Sequence, residues 1–458
     1  MWRYQNTRKY RPMEEWDGDV FTWNAGKEDI YTLIESILRL LKNGCKGMEN
    51  MVVKYLGTGA TDSLYMYFPW LRGRDLESRL SVEHQIDRFW KIRFELHEER
   101  TNSMDRYEDI VSSFLALDTK CGILGKLEGQ MALVDEIRRI YSITSQGSPR
   151  KKRLREYRLH GTLCLHPGAG SMRLYASLFS LDATVKEIIF PEIEIFPSST
   201  FPILVPLRTD RGVSRIIYKK GDDLTRDLFV LETIRYMSRL MGVDLVTYKV
   251  IPLSRKEGIV EVVDGIDFTR IRSRKDLEMY IEEDRDPRHQ ESFEKRKVFV
   301  STLCGYSVAC YVMGIGDRNP GNMMVTRDGK FFHIDFSHVF GRDPKPISSR
   351  ITIARPIRDY LVNDELIYQD FLARSGEAFL QIRRSCRKIF VLWCILAQNR
   401  IFQFDLNEII PFAQARLRME MSEQRALELF EKEIRGAVGS LKTSVAHLIN
   451  RVGMFLRR

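Results

Sequence analysis

At 458 residues, 44% of them apolar, the chain has room for two or three packed units and the composition of a globular rather than a disordered protein. Its net charge of +10 calls for an anionic partner without choosing among nucleic acid, membrane surface and nucleotide phosphates. Seven scattered cysteines with no C-x-x-C pair suggest neither a disulfide framework nor a zinc site, and Met1 to Pro12 lacks the apolar stretch of a secretory signal, so a reducing, cytosolic setting is expected.

From Asp29 to about Ser145 apolar residues recur at helical spacing, as in Tyr31, Leu33, Ile34, Ile37, Leu38 and Leu41, which predicts a layer of helices. Gly147-Ser148-Pro149 then breaks the pattern and leads into a basic run from Arg150 to Arg155. That run is read as an exposed linker; a nucleic-acid patch is the sharper alternative, and no nucleic-acid partner is expected. Beyond it, Glu187 to Phe196, Phe201 to Leu207, Arg215 to Lys219, Leu245 to Val250 and Gly258 to Val263 have the composition of strands, around one helical stretch from Leu224 to Leu240. From Asp276 helices take over, interrupted by a hairpin over Met323 to Phe336. The apolar run Ile389 to Ala397 is too short to cross a bilayer and reads as a buried helix. The order predicts an α+β fold with a helical unit over 1–155, a mixed lobe over 156–263 and a helical lobe over 264–458.

The densest chemistry lies between Gly314 and Ser337. Asp317 and Asn322 stand five residues apart, the D-x-x-x-x-N spacing of a kinase catalytic loop, in which the Asp addresses the attacking hydroxyl and the Asn holds a metal. A short strand, an Asp328-Gly329 turn and a second strand then deliver Asp335, 13 residues after Asn322. A hairpin of that size returns the second carboxylate to the loop, so Asn322 and Asp335 can offer magnesium the hard oxygens it prefers. Any one of these residues alone reads equally well as an ordinary turn residue. Upstream, Lys219 ends an apolar strand and shares a face with Ile217, whereas Lys220 points the other way.

The strings IIYKKGDDLTRD, CGYSVACYVMGIG, GIGDRNPGN and FFHIDFSHVFGRDPKP resemble the kinase core of the phosphatidylinositol 3-kinases, and GRDPKP resembles their class III, vacuolar-sorting branch. The resemblance runs from about Pro191 to the C-terminus. It implies a two-lobed protein-kinase-like (phosphatidylinositol 3/4-kinase) catalytic domain preceded by an all-α helical domain, using ATP with Mg2+ or Mn2+. It assigns Lys219 to the nucleotide phosphates, Asp227 as its acidic partner, Tyr248 to the pocket, and Glu261 with Val263 to the hinge that meets adenine. Ser198 falls in the phosphate-binding turn, Asp317 and Asn322 in the catalytic loop, and Asp335 at the metal. Two positions depart from the family pattern: Asn319 stands where a His is usual and cannot carry a proton, and Ser337 stands where a Gly is usual and restricts positive φ.

The segment after Asp335 carries Arg342, Lys345, Arg350, Arg355 and Arg358, and the resemblance makes Arg342, Lys345 and Arg350 contacts for the headgroup of phosphatidylinositol. From Ser422 the tail reads as one amphipathic helix, with no acid after Glu433, whose last turns are expected to enter a membrane interface. The resemblance further implies a peripheral place on endosomal or autophagic membranes, a pseudokinase-like regulatory subunit and a coiled-coil autophagy or endosomal subunit. No segment resembles the membrane-binding β-sandwich that precedes the helical domain in that family. Two other readings stay open: a catalytically silent scaffold, from Asn319 and Ser337, and a related serine/threonine protein kinase.

Overall fold

The structure, a computed structural model, describes residues 123–145, 177–178, 183–197, 200–281, 290–342, 350–397 and 404–439. Of the expected helical unit it thus describes helix α1 (Ile123–Ser145), whose Leu133, Val134, Ile137 and Ile140 recur on one side and are buried. These side chains cover a six-stranded antiparallel sheet made of β1 (Val185–Ile188), β2 (Glu194–Ile195), β3 (Ile203–Thr209), β4 (Gly212–Lys220), β5 (Val250–Ser254) and β6 (Glu257–Glu261). Its order is β1-β3-β4-β6-β5, with β2 also paired to β3. The expected strand from Glu187 to Phe196 is broken by Pro191, which lies in a short 3-10 turn and so divides β1 from β2. Alternation along β4 buries Ile216 and Tyr218 against α1 and leaves Ile217 and Lys219 for the other face.

Helix α2 (Thr225–Met241) opens the second core. Phe229, Val230, Leu231, Ile234 and Met237 are fully buried, and Gly242 ends the helix in the left-handed region at φ 65°, where a side chain would be strained. The sequence predicts a strand over Leu245 to Val250, but regular pairing starts only at Val250. The Ser238 hydroxyl binds Val243 O and accepts Leu245 N–H, holding this stretch as a capped turn whose apolar residues face the core rather than a neighbouring strand.

After β7 (Ile266–Asp267) and α3 (Arg274–Ile281), α4 (Gln290–Met313) runs through the middle of this core, buried on all sides from Leu303 to Met313. The expected hairpin forms as β8 (Met323–Val325) and β9 (Phe331–His333), with β7 as third strand. Helices α5 (Arg355–Asn363), α6 (Glu365–Arg384), α7 (Cys386–Ala397), α8 (Leu406–Arg416) and α9 (Glu423–Gly439) close it. The run ending α7 is a buried helix as read from sequence, with Trp393 wholly enclosed and its indole N–H on Thr233 Oγ1 at 3.0 Å. On α9 Ala426, Phe430, Ile434 and Val438 form one buried stripe, and Phe430 stacks on Phe379 of α6 at 4.2 Å. Each large apolar side chain so enclosed contributes about 1.5–3 kcal/mol. The terminal turns expected at a membrane lie outside the described residues, and no described helix is long and apolar enough to cross one.

Candidate active site

The pairing Lys219↔Gly258 fixes the end of β4 and turns Lys219 away from α1. Its ammonium lies 3.7 Å from Asp222 Oδ2 and acts on two further carboxylates, Asp227 and Asp335. Asp227, in the first turn of α2, is buried and accepts the Phe336 N–H at 3.1 Å, which ties the helix to the residue after Asp335. Burial, and then the neighbouring Asp335 charge, push the Asp227 carboxyl up to about 6 despite Lys219. For Asp335 burial acts upward as well, but the Lys219 ammonium, the Ser337 hydroxyl and amide, and Arg318 hold it below the usual carboxylate range. Asp227 and Asp335 thus share one lysine with the more exposed Asp222, and the proton affinities of the buried pair are driven apart.

Asp335 is positioned from both sides. Its backbone sits at φ 60°, its N–H donates to the Tyr248 hydroxyl at 3.3 Å, and the Tyr248 ring stacks on Phe336 with centroids 6.4 Å apart. Ser337 donates to Asp335 Oδ1 through both its hydroxyl and its N–H. The positive φ expected to trouble Ser337 therefore belongs to Asp335, two residues earlier. Ser337 instead anchors the carboxylate, and its own carbonyl accepts from Arg226 at 3.0 Å.

The loop before the hairpin is locked by Arg318. This guanidinium is 7% exposed and donates to Gly316 O at 2.7 Å, Ile334 O at 2.9 Å and Asp335 O, while lying 5.5 Å over the Phe336 ring. It staples Asp317 (φ 48°) to the stem that carries Asp335. Asn319 caps the 3-10 turn Pro320–Asn322 through Gly321 N–H at 2.9 Å and offers Nδ2 to Asp317 Oδ2 at 3.4 Å. Asn322 donates Nδ2 to Asp317 O at 2.9 Å, leaving Oδ1 as an acceptor. The ladder pair Met323↔His333 and the bond from Ile334 N–H to Asn322 O at 3.1 Å bring Asn322 to the base of Asp335. His333 also meets Asn322 O at 3.1 Å, and burial with the Arg318 charge keeps it neutral, down to about 3.

Among the described residues no three His, Cys, Asp or Glu side chains gather into a metal cage. The cleft offers one amide oxygen and one carboxylate, a donor set that suits magnesium or manganese completed by water and phosphate oxygens.

Residues 213–391 match the sequence model of the family described as phosphatidylinositol 3- and 4-kinase. The chain carries a phosphatidylinositol 3- and 4-kinase domain. It is similar to phosphatidylinositol 3-kinase VPS34 of Arabidopsis thaliana, 28% identical over 287 residues, which are 60% of this chain and 35% of the relative. It is likewise 28% identical over 286 residues to the root isoform of phosphatidylinositol 3-kinase from Glycine max, at 60% and 35% coverage. The VPS34 phosphatidylinositol 3-kinase of Saccharomyces cerevisiae is 26% identical over 290 residues, at 60% and 33%. The chain therefore spans about a third of the length of these curated relatives.

Within the kinase domain Lys219, Asp227, Tyr248, Asp317, Asn322 and Asp335 come together as described. Glu261 and Val263 lie at the edge where β6 leaves the sheet. Glu261 exchanges bonds with Lys249, its carboxylate accepting Lys249 N–H at 2.8 Å, and Val262 N–H donates to Arg215 O at 3.2 Å. Arg342 and Arg350 do not point into open space: Arg342 pairs with Glu408 at 2.6 Å and Arg350 with Glu433 at 2.7 Å. Ser198 and Lys345 lie outside the described residues. Sequence reasoning passed over Arg318 and His333, although both sit inside its own key string. A charged residue between two motif positions was the available signal.

Proposed function

We propose that this kinase domain transfers the γ-phosphoryl group of ATP to the 3-hydroxyl of phosphatidylinositol. The observation that carries the reading is the convergence of Lys219, Asp227, Asp317, Asn322 and Asp335 through β4, α2 and the β8–β9 hairpin. Lys219 contacts the nucleotide phosphates, and the hinge at Glu261 and Val263 meets the adenine with its backbone. Asp317 orients the attacking hydroxyl, since a loose transition state asks more for alignment than for a strong base. Asn322 and Asp335 would hold a magnesium or manganese ion, which would supply neutralising charge at the transferred group. Asn319 does not carry a proton; it steadies Asp317 and the turn that presents Asn322. Ser337 fixes the rotamer of Asp335. Ser198 is assigned to the phosphate turn, and Arg342, Lys345 and Arg350 to the lipid phosphodiester.

The division into 1–155, 156–263 and 264–458 goes with this reading, as does peripheral action on endosomal or autophagic membranes with a pseudokinase-like subunit and a coiled-coil subunit. The motif GRDPKP supports the class III assignment and unphosphorylated phosphatidylinositol as substrate. Asn319 favours a second reading, a silent scaffold that binds nucleotide without turnover.

Radiolabelled ATP supplied with phosphatidylinositol liposomes tests both. A labelled lipid carrying phosphate on the 3-hydroxyl, absent with Asp335→Ala, is expected. Bound ATP and magnesium without labelled lipid would support the scaffold, and label on serine peptides alone would point to a protein kinase.

A further inference from the structure

On the far side of α4 from the β8–β9 hairpin core, a second group of charged side chains is left unbalanced. Tyr311 is completely buried, yet its hydroxyl has no hydrogen-bond partner. The charges that act on it are Arg418, Glu433, Arg416 and Arg350. Glu433 is shared: its Oε1 receives Arg350 Nη1 at 2.7 Å and lies 3.6 Å from Arg418 Nη2. The Arg416 guanidinium lies 5.4 Å over the Tyr311 ring and 5.0 Å over that of Phe412. No carboxylate stands within ion-pair distance of it among the described residues. Its Nη1 and Arg418 Nε are buried donors with no acceptor.

Three guanidiniums face one carboxylate, a surplus of two positive charges, with Arg350 exposed and Arg416 and Arg418 largely enclosed. Burial, and then Arg350, already press the Arg416 guanidinium below its usual value. A buried polar group without a partner is costly, and here three donors on three different side chains lack one together. They come from separate parts of the fold: α4, the end of α8, and the loop before α9. What satisfies such a set is a compact acceptor with two negative charges and several oxygens. Guanidinium pairs match a phosphate in both geometry and charge.

We propose that Tyr311, Arg350, Arg416 and Arg418 form a binding site for a phosphate dianion, presented either free in solution or as the monoester of a phosphorylated lipid headgroup. Glu433 is the internal competitor for this site, since it occupies Arg350 and Arg418 with its own carboxylate. The site borders the catalytic machinery through Phe412. A side chain at Gly314 would strike that ring at 2.4 Å and one at Gly341 at 2.9 Å, so Phe412 is wedged between the catalytic loop and the residues that follow Asp335.

The inference shares Arg350 with the headgroup contact proposed above but rests on the unpartnered donors of Tyr311, Arg416 and Arg418, and its test is arranged to keep the two apart. All measurements use the Lys219→Met chain, so that phosphate in the nucleotide cleft does not register. Binding of inorganic phosphate by calorimetry, and flotation with phosphatidylcholine vesicles with or without a phosphatidylinositol monophosphate, are compared across variants. Saturable binding is expected, weakened about tenfold by Arg416→Met and several-fold by Tyr311→Phe, and tightened by Glu433→Gln. Tyr311→Phe removes only an unpartnered hydroxyl, so its unliganded melting temperature stays at or above the parent value. Binding to the monophosphate vesicles but not to inorganic phosphate identifies a lipid headgroup as the source; the reverse identifies free phosphate. Binding of neither, or binding that Tyr311→Phe and Arg416→Met leave unchanged or that Glu433→Gln weakens, overturns the proposal.

Discussion

Strand β4 carries ionisable side chains on both faces, and the two faces treat charge in opposite ways. Toward α1, Tyr218 donates to Glu257 Oε1 at 2.6 Å and Arg138 grips both oxygens of the same carboxylate at 2.6 and 3.1 Å. Arg138 also meets Asp135 at 2.9 Å and Lys220 acts on Glu257, so two cations balance two anions there, and the pairing outweighs burial to hold Glu257 below its usual range. On the other face Lys219, with Arg318 as the second cation, faces the carboxylates of Asp222, Asp227 and Asp335, and the surplus appears as the raised Asp227. The matched face is a lock that fastens α1 to the sheet. The mismatched face is under electrostatic tension that a cation relieves, which is how a functional site differs from a structural ion pair.

The strongest way to break the comparison is Asp335→Ala, expected to lower lipid phosphorylation on the order of a thousandfold. Thermal stability should fall only modestly, because relief of Asp227 offsets part of what Lys219, Ser337 and Arg318 lose with the Asp335 carboxylate. Activity and melting curves on one preparation check both halves. Lys219→Met should cost about a hundredfold in activity while pushing Asp227 further up, visible by carboxyl-resolved NMR titration.

Asp227→Asn isolates the tension itself. The folded value of about 6 stands above the roughly 3.9 of an unfolded aspartate, so the folded state binds this proton more tightly. Its contribution is fully present below about pH 4 and is lost as pH rises toward 6, a loss of up to about 3 kcal/mol. The Asn variant should flatten denaturant stability over that window and be more stable at pH 7, while its Oδ1 still accepts Phe336 N–H. On the matched face, Arg138→Met leaves a partly buried carboxylate with only the Tyr218 hydroxyl and the Lys220 charge and should destabilise by about 2 kcal/mol, softened by Arg138 being 31% exposed. Adding Glu257→Gln should restore part of that loss. Activity per folded molecule should change little, as followed by urea unfolding beside the kinase assay.

How much of this was written in the sequence varied with distance along the chain. The catalytic loop, the hairpin and Asp335 were legible because a tight turn and a fixed spacing bring them together locally. Lys219 was legible because strand alternation fixes its face. The Arg138–Glu257 lock was not, since 119 residues separate its partners. Leu245 to Val250 misled because its apolar residues answer to burial: Leu245 packs on Gly305, where an added Cβ would meet it at 2.8 Å. Ser337 misled in another way. The substitution was legible, but only the geometry shows that its hydroxyl holds the Asp335 carboxylate.

The account rests on Asn322 and Asp335 gripping one divalent ion opposite Lys219. Calorimetric ATP binding across a magnesium titration tests it most directly, with Asp335→Asn beside the parent chain. The parent should bind ATP more tightly as magnesium is added, and the variant should lose most of that dependence while keeping its fold. An identical magnesium dependence in the two would contradict the assignment.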